Sequence, residues 1–193
     1  MSLLFISSGV QGQIGGACEG CEAALEYDPA LLRAVDTLPL FGEEQPRLKI
    51  TGTIYQHETL LPAKDVVVYI YHTDRNGGYP KSGNESGWGR RHGYLRGWAK
   101  TGVDGTYTFY SFRPAAYPGG AEPEHIHITI KEPGKAPYYI DEITFDDDPL
   151  LTPVQRSTHK NRAGSGVVIP VVENGTQIIC RDIMLGVNIP NYD

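Results

Sequence analysis

The sequence predicts an all-β fold, a β-sandwich of about seven to eight strands with a short N-terminal helical segment. Three observations carry this. Glycine and proline are abundant, 23 and 14 of 193 residues, and are spread along the chain as punctuation rather than gathered into one low-complexity stretch. Runs of β-branched and aromatic residues recur, some alternating apolar with polar. Turn dipeptides such as Asn76-Gly77 and Asp104-Gly105 separate those runs.

Residues 1–17 hold little to bury and read as a flexible N-terminal segment, ahead of a single sandwich domain over residues 18–193. Residues 18–38 are the one helix-friendly stretch. Asp28-Pro29 is placed to open a short helix, because the N–H that proline lacks has no partner in a first turn. Leu48 to Tyr55 then alternates as a half-buried strand. Val66 to His72 is β-branched and aromatic and gives way to the Asn76-Gly77-Gly78 turn. Thr106 to Phe112 follows the Asp104-Gly105 turn, and further strands are expected at residues 125–130, 138–145, 166–172 and 176–185. No internal repeat or interdomain linker interrupts this order. The loop over residues 80–94 is long for a compact domain, and such loops are often functional. Its Trp88, Arg90, Arg91, His92 and Tyr94 read either as the mouth of a pocket for an aromatic acid or as a variable surface insertion.

The composition, 40% apolar and 21% charged, is that of an ordinary globular chain. A formal charge of −6 argues against a nucleic-acid partner, which needs a basic surface. No apolar run approaches the roughly 18–20 residues of a membrane span. The N-terminal MSLLFISSGVQGQ lacks the basic start of a full signal peptide. It reads as the remnant of a clipped signal or as plain disorder, so periplasmic, secreted and cytoplasmic locations all stay open. Of three cysteines, Cys18 and Cys21 form a CxxC. A zinc knuckle needs two more ligands nearby and a thioredoxin-like role needs a βαβ context; neither is present. A local disulfide or two packed thiols is the expectation.

The sharpest chemical feature is His125-Ile126-His127. Residues i and i+2 of a strand point to one face, about 6.5–7 Å apart, so two imidazoles there can share one metal ion. The dipeptide spacing alone leaves open that they are surface residues. The context is richer. Upstream lie Val68-Tyr69-Ile70-Tyr71-His72-Thr73-Asp74 with Gly78-Tyr79, then Arg96-Gly97 with Thr101 to Phe109, then Pro114-Ala115-Ala116-Tyr117-Pro118. In this order, from about Lys49 to Leu151, the blocks resemble the intradiol ring-cleavage dioxygenases, the group containing catechol 1,2-dioxygenase and protocatechuate 3,4-dioxygenase.

The resemblance implies a mononuclear Fe(III) site held by Tyr79, Tyr117, His125 and His127, with Tyr117 and His127 axial. Two tyrosinates are hard anionic donors that suit a trivalent cation, and imidazole also suits iron. It further implies a catechol-like substrate, opened with O2 between its hydroxylated carbons to a muconate-type diacid, with Tyr117 taking a substrate proton. A homodimer is implied by resemblance alone. The family's arginine three residues before the first histidine is Glu122 here, which reverses the local charge, and its tryptophan is Tyr71. The charge-stabilising role then falls to another cation, Arg96, Arg90 or Arg91, or the substrate differs from simple catechols, or the site turns over poorly.

Other readings stay open at this point. Residues 52–68 and 101–109 also suit a non-catalytic prealbumin-like binding or accessory module. A zinc or manganese site of His125, His127 and a glutamate is favoured if Tyr79 lies far from the histidines. His72 is expected to be solvent-exposed, and His57, His92 and His159 to be plain loop residues. Asp146-Asp147-Asp148 lacks the spaced ligands and glycine of a calcium loop and reads as a solvated strand exit.

Overall fold

The computed structural model describes residues 13–193, so most of the segment expected to be flexible lies outside the described residues. The first element is a 3-10 helix, Cys21–Leu25, followed by strands β1 (Val35–Thr37), β2 (Arg47–Tyr55) and β3 (Val67–Tyr71). A single helical turn, α1 (Gly89–His92), precedes β4 (Arg96–Lys100), β5 (Thr106–Phe112) and β6 (His125–Lys131). Then come β7 (Tyr138–Tyr139), β8 (Ile143–Phe145), helix α2 (Pro153–Thr158), β9 (Val167–Val168), β10 (Val171–Glu173), β11 (Thr176–Cys180) and β12 (Ile183–Met184).

The strands form two six-stranded sheets, the all-β sandwich expected. One runs β1-β5-β2-β11-β10 with β12 also on β2, and the other β4-β3-β6-β8-β9 with β7 also on β6. Leu48, Ile50 and Ile54 of β2 alternate inward and meet Val68 and Ile70 of β3 and Ile126, Ile128 and Ile130 of β6 in one core. Each such side chain taken from water is worth roughly 1.5–3 kcal/mol.

The second sheet is covered on its outer face as well. Tyr69 of β3 points outward yet is fully buried, because Ala23 and Ala24 of the 3-10 helix pack on it with Trp88 and Trp98 alongside. Alanine's small side chain lets the helix lie close, and Trp98 Nε1 fixes it by donating to Ala23 O at 2.9 Å. The Cys18–Cys21 disulfide closes the helix's entry, one of the two outcomes the CxxC left open.

The structure departs from the sequence reading in four respects. Asp28-Pro29 opens only a turn: the Asp28 carboxylate accepts the Ala30 N–H, and the chain is then drawn into β1, which pairs in parallel with β5. Strands β1 and β4 were not expected, and three expected runs are each broken in two. Pro170, which has no N–H for a ladder, separates β9 from β10. Asp182 separates β11 from β12 by turning its carboxylate onto the Thr53 N–H at 2.8 Å. The long loop over residues 80–94 holds α1.

Candidate metal centre

Strand β6 sorts its residues by parity. Its isoleucines face the core, so His125, His127 and Thr129 face outward, toward the covering segment. The tyrosines arrive on two loops. Asp74 builds the first: its Oδ1 accepts the N–H groups of Asn76 and Gly78, its carbonyl accepts that of Gly77, and Tyr79 follows directly. Gly77 has φ 76°, and a Cβ there would collide with the Ala116 carbonyl. Thr73 Oγ1 donates to Ala115 O at 2.6 Å, so the Tyr79 and Tyr117 loops are stitched together.

The result is one cluster. Tyr79 Oη lies 2.8 Å from His127 Nε2, and Tyr117 Oη lies 3.3 Å from His125 Nε2 and 3.4 Å from His127 Nε2. The two phenolic oxygens also hydrogen-bond each other. Both imidazoles are held from behind. His125 Nδ1 donates to Pro123 O at 2.8 Å, and His127 Nδ1 contacts Glu142 Oε1 at 2.7 Å. With Nδ1 carrying the proton, each Nε2 presents a lone pair to the common point. Tyr71 fixes the His127 ring from the side, stacked on it at 4.3 Å and on His92 at 3.8 Å.

Burial, then the hydrogen bond and charge of Tyr117, push the Tyr79 phenol far above the ordinary range; burial also raises Tyr117. Both are neutral unless a cation takes the place of their protons. At Glu142 burial raises the carboxyl, but the hydrogen bond and charge of His127 outweigh it and hold it below its ordinary value. Donors at neighbouring positions round a metal with ~2.0–2.2 Å bonds stand ~2.8–3.5 Å apart. Three of the four donor contacts above fall in that range, and the two phenolic oxygens stand closer together. Two phenols and two imidazoles therefore fit a hard, multiply charged ion.

Of the residues singled out from sequence, Tyr79, Tyr117, His125 and His127 come together. Glu122 is exposed on the loop before His125, and its charge reaches Tyr117. Arg96 lies elsewhere: it pairs with Glu26 at 2.6 Å and sits over Trp98. Arg90 and Arg91 instead line a cleft of about 430 Å³ with Lys81, Tyr79, Tyr117 and His127. His92, expected on the surface, is buried, with Nδ1 2.8 Å from Tyr69 Oη. His72, expected exposed, is fully buried, bound to Thr73 O and Ser111 Oγ. Glu142 was missed because no motif marks it. It forms with His125 and His127 a group able to hold a metal ion. Its place on the Nδ1 side of His127, and the nearness of Tyr79, take away the condition that favours a histidine-glutamate site.

No family model matches the sequence. Solved structures do match in fold. The dioxygenase domain of a dioxygenase carbohydrate-binding protein fusion from Streptomyces sp. SirexAA-E superposes with a TM-score of 0.56 at 21% identity, covering 72% of this chain and 79% of that one. Catechol 1,2-dioxygenase from Pseudomonas arvilla C-1 gives 0.58 at 16% identity, over 79% of this chain. An intradiol ring-cleavage dioxygenase from Tetranychus urticae gives 0.54 at 20%, over 82% of this chain and 87% of that one. The match spans only 56% of the Pseudomonas enzyme's length. The chain thus has the fold of the intradiol ring-cleavage dioxygenases. No helix among its described residues is long and apolar enough to cross a membrane.

Proposed function

We propose that the chain is a non-haem iron(III)-dependent intradiol dioxygenase that opens the ring of a catechol-like substrate. The observation that carries this is the convergence of Tyr79 Oη, Tyr117 Oη, His125 Nε2 and His127 Nε2 on one point beside an open cleft. A non-catalytic sandwich module has no use for such a cluster. When bound, iron(III) supplies the Lewis acidity that favours the catecholate and makes its ring reactive toward O2.

The chain's own residues do the rest. Tyr117, on a loop and half-buried, takes a proton from one substrate hydroxyl. Tyr79 and the two imidazoles stay in place, the latter held by Glu142 and the Pro123 carbonyl. Tyr71, His92 and Trp88 wall the cleft, with Tyr71 held rigid between the rings of His127 and His92. The bond between the two hydroxylated carbons breaks, both atoms of one O2 enter the product, and a muconate-type diacid results, with no other reductant needed.

A visible absorption spectrum with elemental analysis tests this. Protein purified or reconstituted with iron should carry one iron per chain and a tyrosinate-to-iron band that shifts when catechol is added. Protein that stays colourless after iron loading rejects the proposal.

A further inference from the structure

The cleft over the candidate metal centre carries three cations, Lys81, Arg90 and Arg91, against one carboxylate, Glu19, on a chain whose net charge is −6. Glu19 is spent on Arg91. Arg90 meets only the Glu85 carbonyl, and the Glu85 carboxylate is taken up by Ser82 and Gly83. Lys81 has no partner among the described residues, and neither it nor Arg90 has a carboxylate to pair with. Two cations without a carboxylate partner therefore line the same cleft as Tyr79, Tyr117 and His127. The volume, about 430 Å³, lies within the roughly 300–1,000 Å³ that drug-sized ligands fill. A bare catechol leaves both the space and the charge unused. Glu122 is exposed on the loop before His125 and does not line this cleft, so the cleft's charge is set by Lys81, Arg90 and the Arg91–Glu19 pair.

We infer that the substrate is a catechol carrying an anionic substituent, and that Lys81 and Arg90 are the residues that read it. This rests on the iron-catechol reading above. Opposite charge at the mouth both steers the ligand in and selects against neutral analogues.

Titration calorimetry of the iron-loaded protein without oxygen, using protocatechuate, caffeate and the methyl ester of each, tests the inference. Each ester keeps the ring and removes the charge. The acids should bind about tenfold more tightly than their esters, and the difference should shrink with added salt. In Lys81→Gln/Arg90→Gln the acid-to-ester ratio should fall toward one, whereas Lys49→Gln, on the other sheet, should keep it. A preference shown with either acid supports the inference. Equal binding of acids and esters overturns it and leaves the catechol reading standing. If none of the four binds the iron-loaded protein, both fall.

Discussion

At the scale of single residues, what the sequence conveys depends on whether a side chain's role is local. The histidines of β6 are legible because strand parity alone sets both on one face, and the tyrosines because each stands beside a turn or proline in a recognisable block. Glu142 is not legible, since it reaches His127 only through the pairing of β8 with β6. Its role is testable. Glu142→Gln keeps the size but gives His127 Nδ1 a weaker acceptor, and should lower iron affinity by about 10–100-fold, measured by competition with a chelator. His72 makes a pH prediction. Burial first, partly offset by its bond to Thr73 O, lowers its pKa from 6.5 to about 4. The unfolded chain then binds the extra proton between those values. Stability should be full above about pH 6.5 and decline as pH falls toward 4, by an amount on the order of 3 kcal/mol. Urea midpoints at pH 7 and pH 5 measure this. In His72→Gln the pH dependence should weaken but not vanish, because burial lowers the pKa of His92 to about 4 as well, and an unchanged dependence would assign it to His92 and other groups.

At the scale of elements, alternation identified the central strands and missed those without it. β1 is three residues long and exists because β5 offers it an edge. β4 has a glycine at its second position, which argues against a strand in isolation. A Cβ at Gly97 would press on the side-chain ends of Asp36 and Leu38, which lie close over it. The burial of His92 was equally out of reach, because it depends on Gly20 of the disulfide loop lying against its ring. The loops carrying the tyrosines make a sharper claim. Gly77→Ala places a side chain against Ala116 in a left-handed backbone conformation. It should cost at least about 1–2 kcal/mol and part Tyr79 from Tyr117. Denaturant melts and the visible band of the iron-loaded variant report the two effects separately. A variant with full colour would show that the two loops hold their tyrosines independently.

At the scale of the whole molecule, the sandwich class was readable, because several short strands of period two separated by turns call for stacked sheets. The cover over the outer face was not, since it is built from a 3-10 helix, a disulfide and an irregular loop with no shared period. That cover confines two neutral phenols and two imidazoles in a partly dry space. A bound ion relieves this, so iron should raise the melting temperature in a concentration-dependent way. Scanning calorimetry with and without iron measures it, and coincident melts would mean that no ion is held in the folded state.

The parity of β6 has one more consequence. Its isoleucines and histidines occupy adjacent positions, so a pairing error of a single residue would turn both imidazoles into the oil of the interior and set three isoleucines in the open. A slip of two residues keeps the isoleucines inward yet carries both imidazoles about 6.5–7 Å along the strand, away from Tyr79 and Tyr117. Packing of the isoleucines therefore fixes which face the two histidines take, and the pairing of Tyr71 with His127 fixes how far along it they stand.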